Sequence, residues 1–240
     1  MKTRYILIIF AILTKMANCY CQETLTVKYI SNLSDNRDDF GAYVFDKSTL
    51  ITNNKESIYY ETPNDTILEI ENFGTYSGKE LKYKFSYFKN RKEKSVIFDR
   101  NYANKSIIKD ENYSINWTIN ENRKEVMGYL CQEATGKFRG RNYKAYFLKD
   151  LPYYNGPHKF DGLPGLILEV LSEDKAVAIT AYEISLNLDK IINPFKDVKT
   201  ISWEEFKKAY KKKFDKIINY TPEEGINMTI PNRYIENYID

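Results

Sequence analysis

Between Leu81 and Phe88 the chain reads LKYKFSYF, and its apolar residues come at every second position. On an extended backbone Leu81, Tyr83, Phe85 and Tyr87 point to one side, while Lys82, Lys84, Ser86 and Phe88 point to the other. Segments of the same kind recur at Glu23–Ser31, Glu56–Thr62, Asp65–Phe73, Lys94–Arg100 and Tyr113–Ile119. Turn-forming stretches such as NNKE, TPND and YSGKE separate them. VMGYLCQEAT, NYKAYFL, GLILEVL and AVAITAYEISL continue the pattern. FRGRN reads as the tip of a hairpin between the first two, and LSEDKA as a turn between the last two. With 21 Tyr and 13 Phe, the chain is rich in side chains that suit a pleated, half-buried surface. The expectation is an antiparallel sheet of about eight to eleven strands.

One helix stands out near the C-terminus, in ISWEEFKKAYKKKFDKIINY. Ser202 and Glu205 have the spacing of a capping box, in which each side chain satisfies the other residue's backbone N–H. Trp203, Phe206, Tyr210, Phe214 and Ile217 draw one apolar stripe, with lysines largely off it. The stripe suits packing on a sheet; a basic face beside aromatics also suits a membrane interface. The fold class expected is mainly β (α+β): a curved antiparallel sheet or half-barrel with this amphipathic helix packed on it.

The first residues, MKTRYILIIFAILTKMANCYCQ, have the layout of an export signal. Lys2 and Arg4 precede an apolar run, Tyr5–Leu13, that is too short to span a bilayer. Cys19 and Cys21 are small residues at positions suited to cleavage before Gln22; retention of either as an acylated N-terminus is the alternative. The expected organisation is a signal peptide over 1–21 and a single β-rich domain over 22–240, with no later transmembrane helix. Residues 1–21 carry Lys2, Arg4 and Lys15 and no acid, so removing them takes the net charge from +3 to zero. The basicity then gives no reason to expect nucleic acid as a partner. Cysteines fall from 3 to a lone Cys131, which cannot form an internal disulfide.

Motifs for familiar chemistry are missing: there is no G-x-S-x-G, P-loop, H-E-x-x-H or Cys-x-x-Cys. His158 is the single histidine, so no zinc set and no cofactor are expected. SDNRDD (Ser34–Asp39) fails the EF-hand spacing, with Arg37 and Phe40 where a ligand and the turn glycine belong. His158 could act as a base for Cys131 only if the fold brought them together; Cys131 within a strand pattern reads first as a small buried thiol. Arg139 and Arg141 flank Gly140 and could clamp a carboxylate or phosphate, or could be solvated tip residues.

GPHKFDGLPGLILEV (Gly156–Val170) packs glycines and prolines ahead of an apolar run. Gly162 can take positive φ, and Pro164 drives Leu163 out of the helical region. Gly165 permits a tight turn or bulge at the strand start. A phosphate-binding glycine loop would open a helix, whereas LILEV reads as a strand with both faces buried. The GLPG turn therefore reads as a corner.

Taken together, MGYLCQEA, FRGRNYKAYF and LPYYNGPHKFDGLPGLILEV resemble the GLPGLI family of exported bacterial proteins. IIKDENYSINWTIN, with Trp117, is similar to the strand that precedes them in that family. The resemblance implies export in Gram-negative bacteria and a gene that often lies near those for TonB-dependent outer-membrane receptors; it carries no established activity. Family-motif positions matched here include Cys131, Arg139, Arg141, Phe160, Gly162, Pro164 and Gly165. At His158 the family more often has an aromatic residue, and at Tyr146 a tryptophan.

The function expected is that of a non-enzymatic cell-envelope protein, periplasmic or outer-membrane-associated. It would bind an apolar or peptide-like ligand or dock onto an outer-membrane transporter. An envelope hydrolase acting on a peptide or polymer is the alternative. The candidate binding or motif residues are Cys131, Arg139, Arg141, His158, Phe160, Gly162, Pro164 and Gly165; none is assigned a catalytic, cofactor or metal role.

Overall fold

The structure, a computed structural model, describes residues 23–34, 43–62, 67–70, 74–77, 85–102, 104–188, 190–218 and 235–236. Residues 1–21 and Asp35–Asp39 of the acidic SDNRDD stretch lie outside them.

Two antiparallel meanders meet at a central seam. β1 (Thr24–Ser34) pairs with β2 (Tyr43–Thr52) on one side and with β13 (Val177–Asn187) on the other. From β2 the sheet runs through β3 (Glu56–Thr62), β6 (Phe85–Asn90), β7 (Ser95–Tyr102) and β8 (Asn104–Asp110). From β13 it runs through β12 (Leu166–Ser172), β11 (Arg141–Leu148), β10 (Tyr129–Phe138) and β9 (Asn116–Val126). β14 (Ile201–Ser202) adds to β8 in parallel, which makes a 12-stranded sheet. β4 (Ile67–Ile70) and β5 (Gly74–Ser77) form a separate hairpin.

The sheet formed by the described residues has more strands than the sequence expectation because β2, β8 and β14 lie outside the segments read as strands. VMGYLCQEAT is not one strand: Met127 and Gly128, with φ of 55° and 80°, make a two-residue turn between β9 and β10. β2 and β8 alternate weakly in sequence, and each is paired with a neighbour on both sides in the sheet.

The sheet is curved back on itself. β8 and the β10–β11 turn are eight or more strands apart in the sheet order, roughly 40 Å if it were flat. Yet the Arg139 guanidinium in that turn lies 2.6 Å from the Asp110 carboxylate at the end of β8. The space inside is filled by the chain itself. Residues 155–160 are all buried in it, and Phe160 packs 4.8 Å from Tyr143 and 5.9 Å from Phe138 between ring centroids. His158 lies 4.4 Å from Tyr87 on the other arm of the sheet.

α1 (Trp203–Ile218) starts directly after β14. Its capping box forms as read: Ser202 N–H donates to Glu205 at 2.7 Å and Glu205 N–H to the Ser202 hydroxyl at 3.2 Å. Trp203, Phe206 and Tyr210 are buried in the main core, while the side chains of Phe214 and Ile217 lie outside the described residues. A second apolar cluster, Ile58, Phe88, Ile191 and Phe195, covers the opposite face of the sheet. Phe88 is thus buried although its strand alternation points it away from Tyr87, in the main core.

Candidate functional site

A buried loop has to satisfy backbone groups that water cannot reach. Here one ammonium does much of this. Lys89, fully buried on β6, donates to the Asn155 side chain at 2.6 Å and to the carbonyls of Gly156 and Phe160, both at 3.2 Å. Asn155 in turn donates to Thr52 at 3.0 Å, and its carbonyl accepts from Ile167 N–H at 2.8 Å. Burial lowers the Lys89 ammonium to about 8, against the pull of Asp161, whose carboxylate is 4.0 Å away.

This anchored loop ends in the GLPG corner. Gly162 has φ of 85°, a conformation costly for residues bearing a Cβ. Gly165 is required for a different reason: a Cβ there would sit 2.3 Å from the Leu148 carbonyl oxygen. The corner presses the start of β12 against the end of β11. Leu166, Ile167 and Leu168 follow with no exposure, so the strand is buried on both faces as the sequence suggests. Pro164 is partly exposed at the bend.

Beside the corner lies a cleft of about 350 Å³, lined by Arg91, Lys94, Glu111, Tyr113, Ser114, Tyr154, Asp161 and Gly162. Arg91 is held over the Tyr154 ring, 5.0 Å from its centroid. The Asp161 carboxylate accepts from the Tyr113 hydroxyl, and its backbone carbonyl accepts from the Trp117 indole at 2.7 Å. Burial raises the Asp161 carboxyl, opposed by Lys89, Tyr113 and Arg91. Burial, with Asp161 next, pushes the Tyr113 hydroxyl well up. The cleft thus offers Arg91 held over Tyr154, the exposed cation of Lys94, a neutral phenol, a carboxylate and an exposed aromatic face within one small volume.

The sequence-derived candidates fall in different places around this cleft. Gly162 lines it. His158 and Phe160 are buried behind it, with His158 Nε2 3.9 Å from Glu236. Arg139 and Arg141 do not share a target. Arg139 holds Asp110 at 2.6 Å and also binds Glu236, whereas Arg141 holds Asp174 at 2.8 Å. Cys131 and His158 have different neighbours: the thiol is pushed up to about 11 by burial and by Glu169. A thiol protonated at neutral pH is a poor nucleophile.

A second polar row crosses the sheet through Glu133, Tyr146, Glu169 and Thr180, which are paired in register. Tyr146 donates to Glu133 at 2.9 Å, and Lys124 donates to Glu169 at 2.5 Å. The extra residues of β9 opposite Glu133 bring Asn120 and Asn122 onto its carboxylate at 2.9 and 3.2 Å. Among the described residues no cluster of His, Cys, Asp and Glu is arranged to hold a metal ion. No helix among them is long and apolar enough to cross a membrane.

Lys89, Tyr113, Asp161, Lys159 and Asp110 carry no local sequence signal that marks them as site residues. Lys159 sits within the GPHKF motif, and its partner Asp110 is 49 residues away. No local pattern announces such a pair.

Residues 139–169 match the model of a family described as "Protein of unknown function (Porph_ging)". The matched stretch contains Arg139, Arg141, His158 and the whole GLPG corner. No functionally curated protein matches the chain. Among solved structures the chain is similar to PNGF-II in its P21 and C2 crystal forms, at 13% identity and TM-scores of 0.48 and 0.47. The similarity covers 75% of this chain, which spans 31% and 30% of the PNGF-II chains.

Proposed function

We propose that the protein is an exported, non-enzymatic binding module of the cell envelope, and that its recognition surface is the cleft at the GLPG corner. The observation that carries this reading is the Arg91–Tyr154 stack beside Asp161 and Gly162, on a loop tied down by a buried ammonium. A site held this rigidly needs little ordering when a ligand arrives. The ligand class that fits is peptide-like. A carboxylate or carbonyl would meet Arg91 and Lys94, an amide N–H would meet Asp161, and a flat or apolar group would lie against Tyr154.

The inner aromatic surface of the sheet is covered by the chain's own loop, so the ligand belongs at the rim rather than inside. Export rests on the signal-like segment, with Lys2 and Arg4 ahead of Tyr5–Leu13. An outer-membrane transporter is the partner we propose, on the strength of the family resemblance of the motif.

Native mass spectrometry of protein purified from periplasm, combined with crosslinking in cells, tests this. A retained peptide or receptor adduct that disappears in Arg91→Ala and Tyr154→Ala supports the reading. Consistently empty protein with no crosslinked partner overturns it.

A further inference from the structure

Inside the curved sheet, a carboxylate from far along the chain sits on a built cationic cradle. Glu236 is fully buried. Lys159 Nζ lies 2.8 Å from its Oε1 and donates to its Oε2 at 2.9 Å, and Arg139 also donates to Oε2. The Tyr143 hydroxyl donates to the carbonyl of Ile235, and the Ile235 side chain is buried in the core. The occupant is therefore read in three ways: by its carboxylate, by the backbone carbonyl one residue earlier, and by the apolar side chain on that residue. Peptide-binding sites recognise their ligands by this combination of groups.

A second buried carboxylate, Asp110, contacts the same two cations. Asp110, fully buried, accepts from Lys159 at 2.9 Å and from Arg139 at 2.6 Å. Both cations also lie over the Trp203 ring, at 3.7 Å for Arg139 and 4.3 Å for Lys159, and Lys159 is 4.1 Å from the Phe98 centroid. Two cations on one internal carboxylate leave a surplus positive charge. In a desolvated site that surplus selects an anion. Arg139 is 12% exposed, which gives the cradle a contact with solvent.

We infer that Lys159, Arg139, Tyr143 and Trp203 form a receptor for an acidic peptide segment with an apolar residue just before its glutamate, and that the chain fills this receptor in cis with Ile235–Glu236. The site is separate from the cleft at the GLPG corner and does not rest on it. A ligand competing with an internal occupant binds in proportion to the fraction of open receptor, so weakening the occupant strengthens external binding.

The test uses the full chain and a fluorescein-labelled peptide, NRYIENYI, which copies residues 232–239. Glu236→Gln keeps the occupant's shape and removes its charge; Ile235→Ala removes the occupant's buried apolar side chain and leaves the receptor residues unchanged. Fluorescence anisotropy should show the peptide binding Glu236→Gln at least about tenfold more tightly than the wild type, and Ile235→Ala about threefold more tightly. The peptide's own Glu→Gln counterpart should lose that gain. Equal binding of the two peptides, or no gain in either folded variant, overturns the inference. Loss of the near-UV circular dichroism of both variants also overturns it, because Glu236 is then a fixed part of the core.

Discussion

Arg139, in the β10–β11 turn, and Asp110, at the end of β8, are eight or more strands apart in the sheet order, and their side chains meet at 2.6 Å. This contact, with Lys159 beside it, marks where the two arms of the curved sheet come together. Removing one member of a buried ion pair leaves the other uncompensated, which typically costs about 3–5 kcal/mol. Asp110→Asn should therefore lower the urea midpoint by an amount corresponding to about 3 kcal/mol. Arg141→Met should cost clearly less, because its partner Asp174 is 47% exposed.

The two glycines of the corner should respond differently to alanine. At Gly165 the added Cβ would meet the Leu148 carbonyl oxygen at 2.3 Å, so backbone must move and the loss should be about 3 kcal/mol or more. At Gly162 the nearest atom would be 3.9 Å away, and only the positive φ opposes the substitution, at about 1–2 kcal/mol. Thermal melts of Gly162→Ala and Gly165→Ala check the order.

Stability should rise with pH in the alkaline range. The Lys89 ammonium is lowered from 10.5 to about 8 in the folded chain, and burial also lowers Lys159. Between about pH 8 and 10.5 the unfolded chain holds a proton on Lys89 that the folded chain has released. Stability therefore climbs with pH through that window, by at most about 1.4 kcal/mol per pH unit for one such group. Towards pH 10 and above, buried Tyr29, Tyr113 and Tyr143, whose hydroxyls are raised by burial, oppose the trend because they ionise first in the unfolded chain. Urea midpoints at pH 7, 8 and 9 should increase, and Lys89→Met should flatten the slope. A midpoint that falls across this range contradicts the proton balance.

Cys131 should resist alkylation. Its side chain is fully buried and its thiol is raised to about 11, so at pH 8 the thiolate is scarce and enclosed. Iodoacetamide followed by mass spectrometry should label native protein at least about a hundredfold more slowly than urea-unfolded protein. Rapid native labelling would place the thiol at the surface.

Much of the fold could be read from local pattern. Period two in ESIYYET marks β3 from Glu56 to Thr62, its observed bounds. The Ser202–Glu205 spacing locates the start of α1, because the capping hydrogen bonds span three residues and need no distant partner. The GLPG corner was legible for the same reason: the φ of Gly162 and the bend at Pro164 are properties of adjacent residues.

The sites were less legible. Arg139 and Arg141 sit symmetrically about Gly140 in the sequence, yet one turns to Asp110 and Glu236 and the other to Asp174. Lys89 and Asn155, which fix the loop, are 66 residues apart. Such pairings depend on where curvature brings strand ends, and curvature accumulates over many strands from small twists that no single segment encodes. Sequence alone determined the alternating strands, the capped helix and the corner, because each is settled by neighbours in the chain. Tertiary structure decided that the sheet closes around its own loop, and that buried cations there meet carboxylates from the end of β8 and from Glu236. Only the packed interior removes the water that would otherwise keep those charges apart.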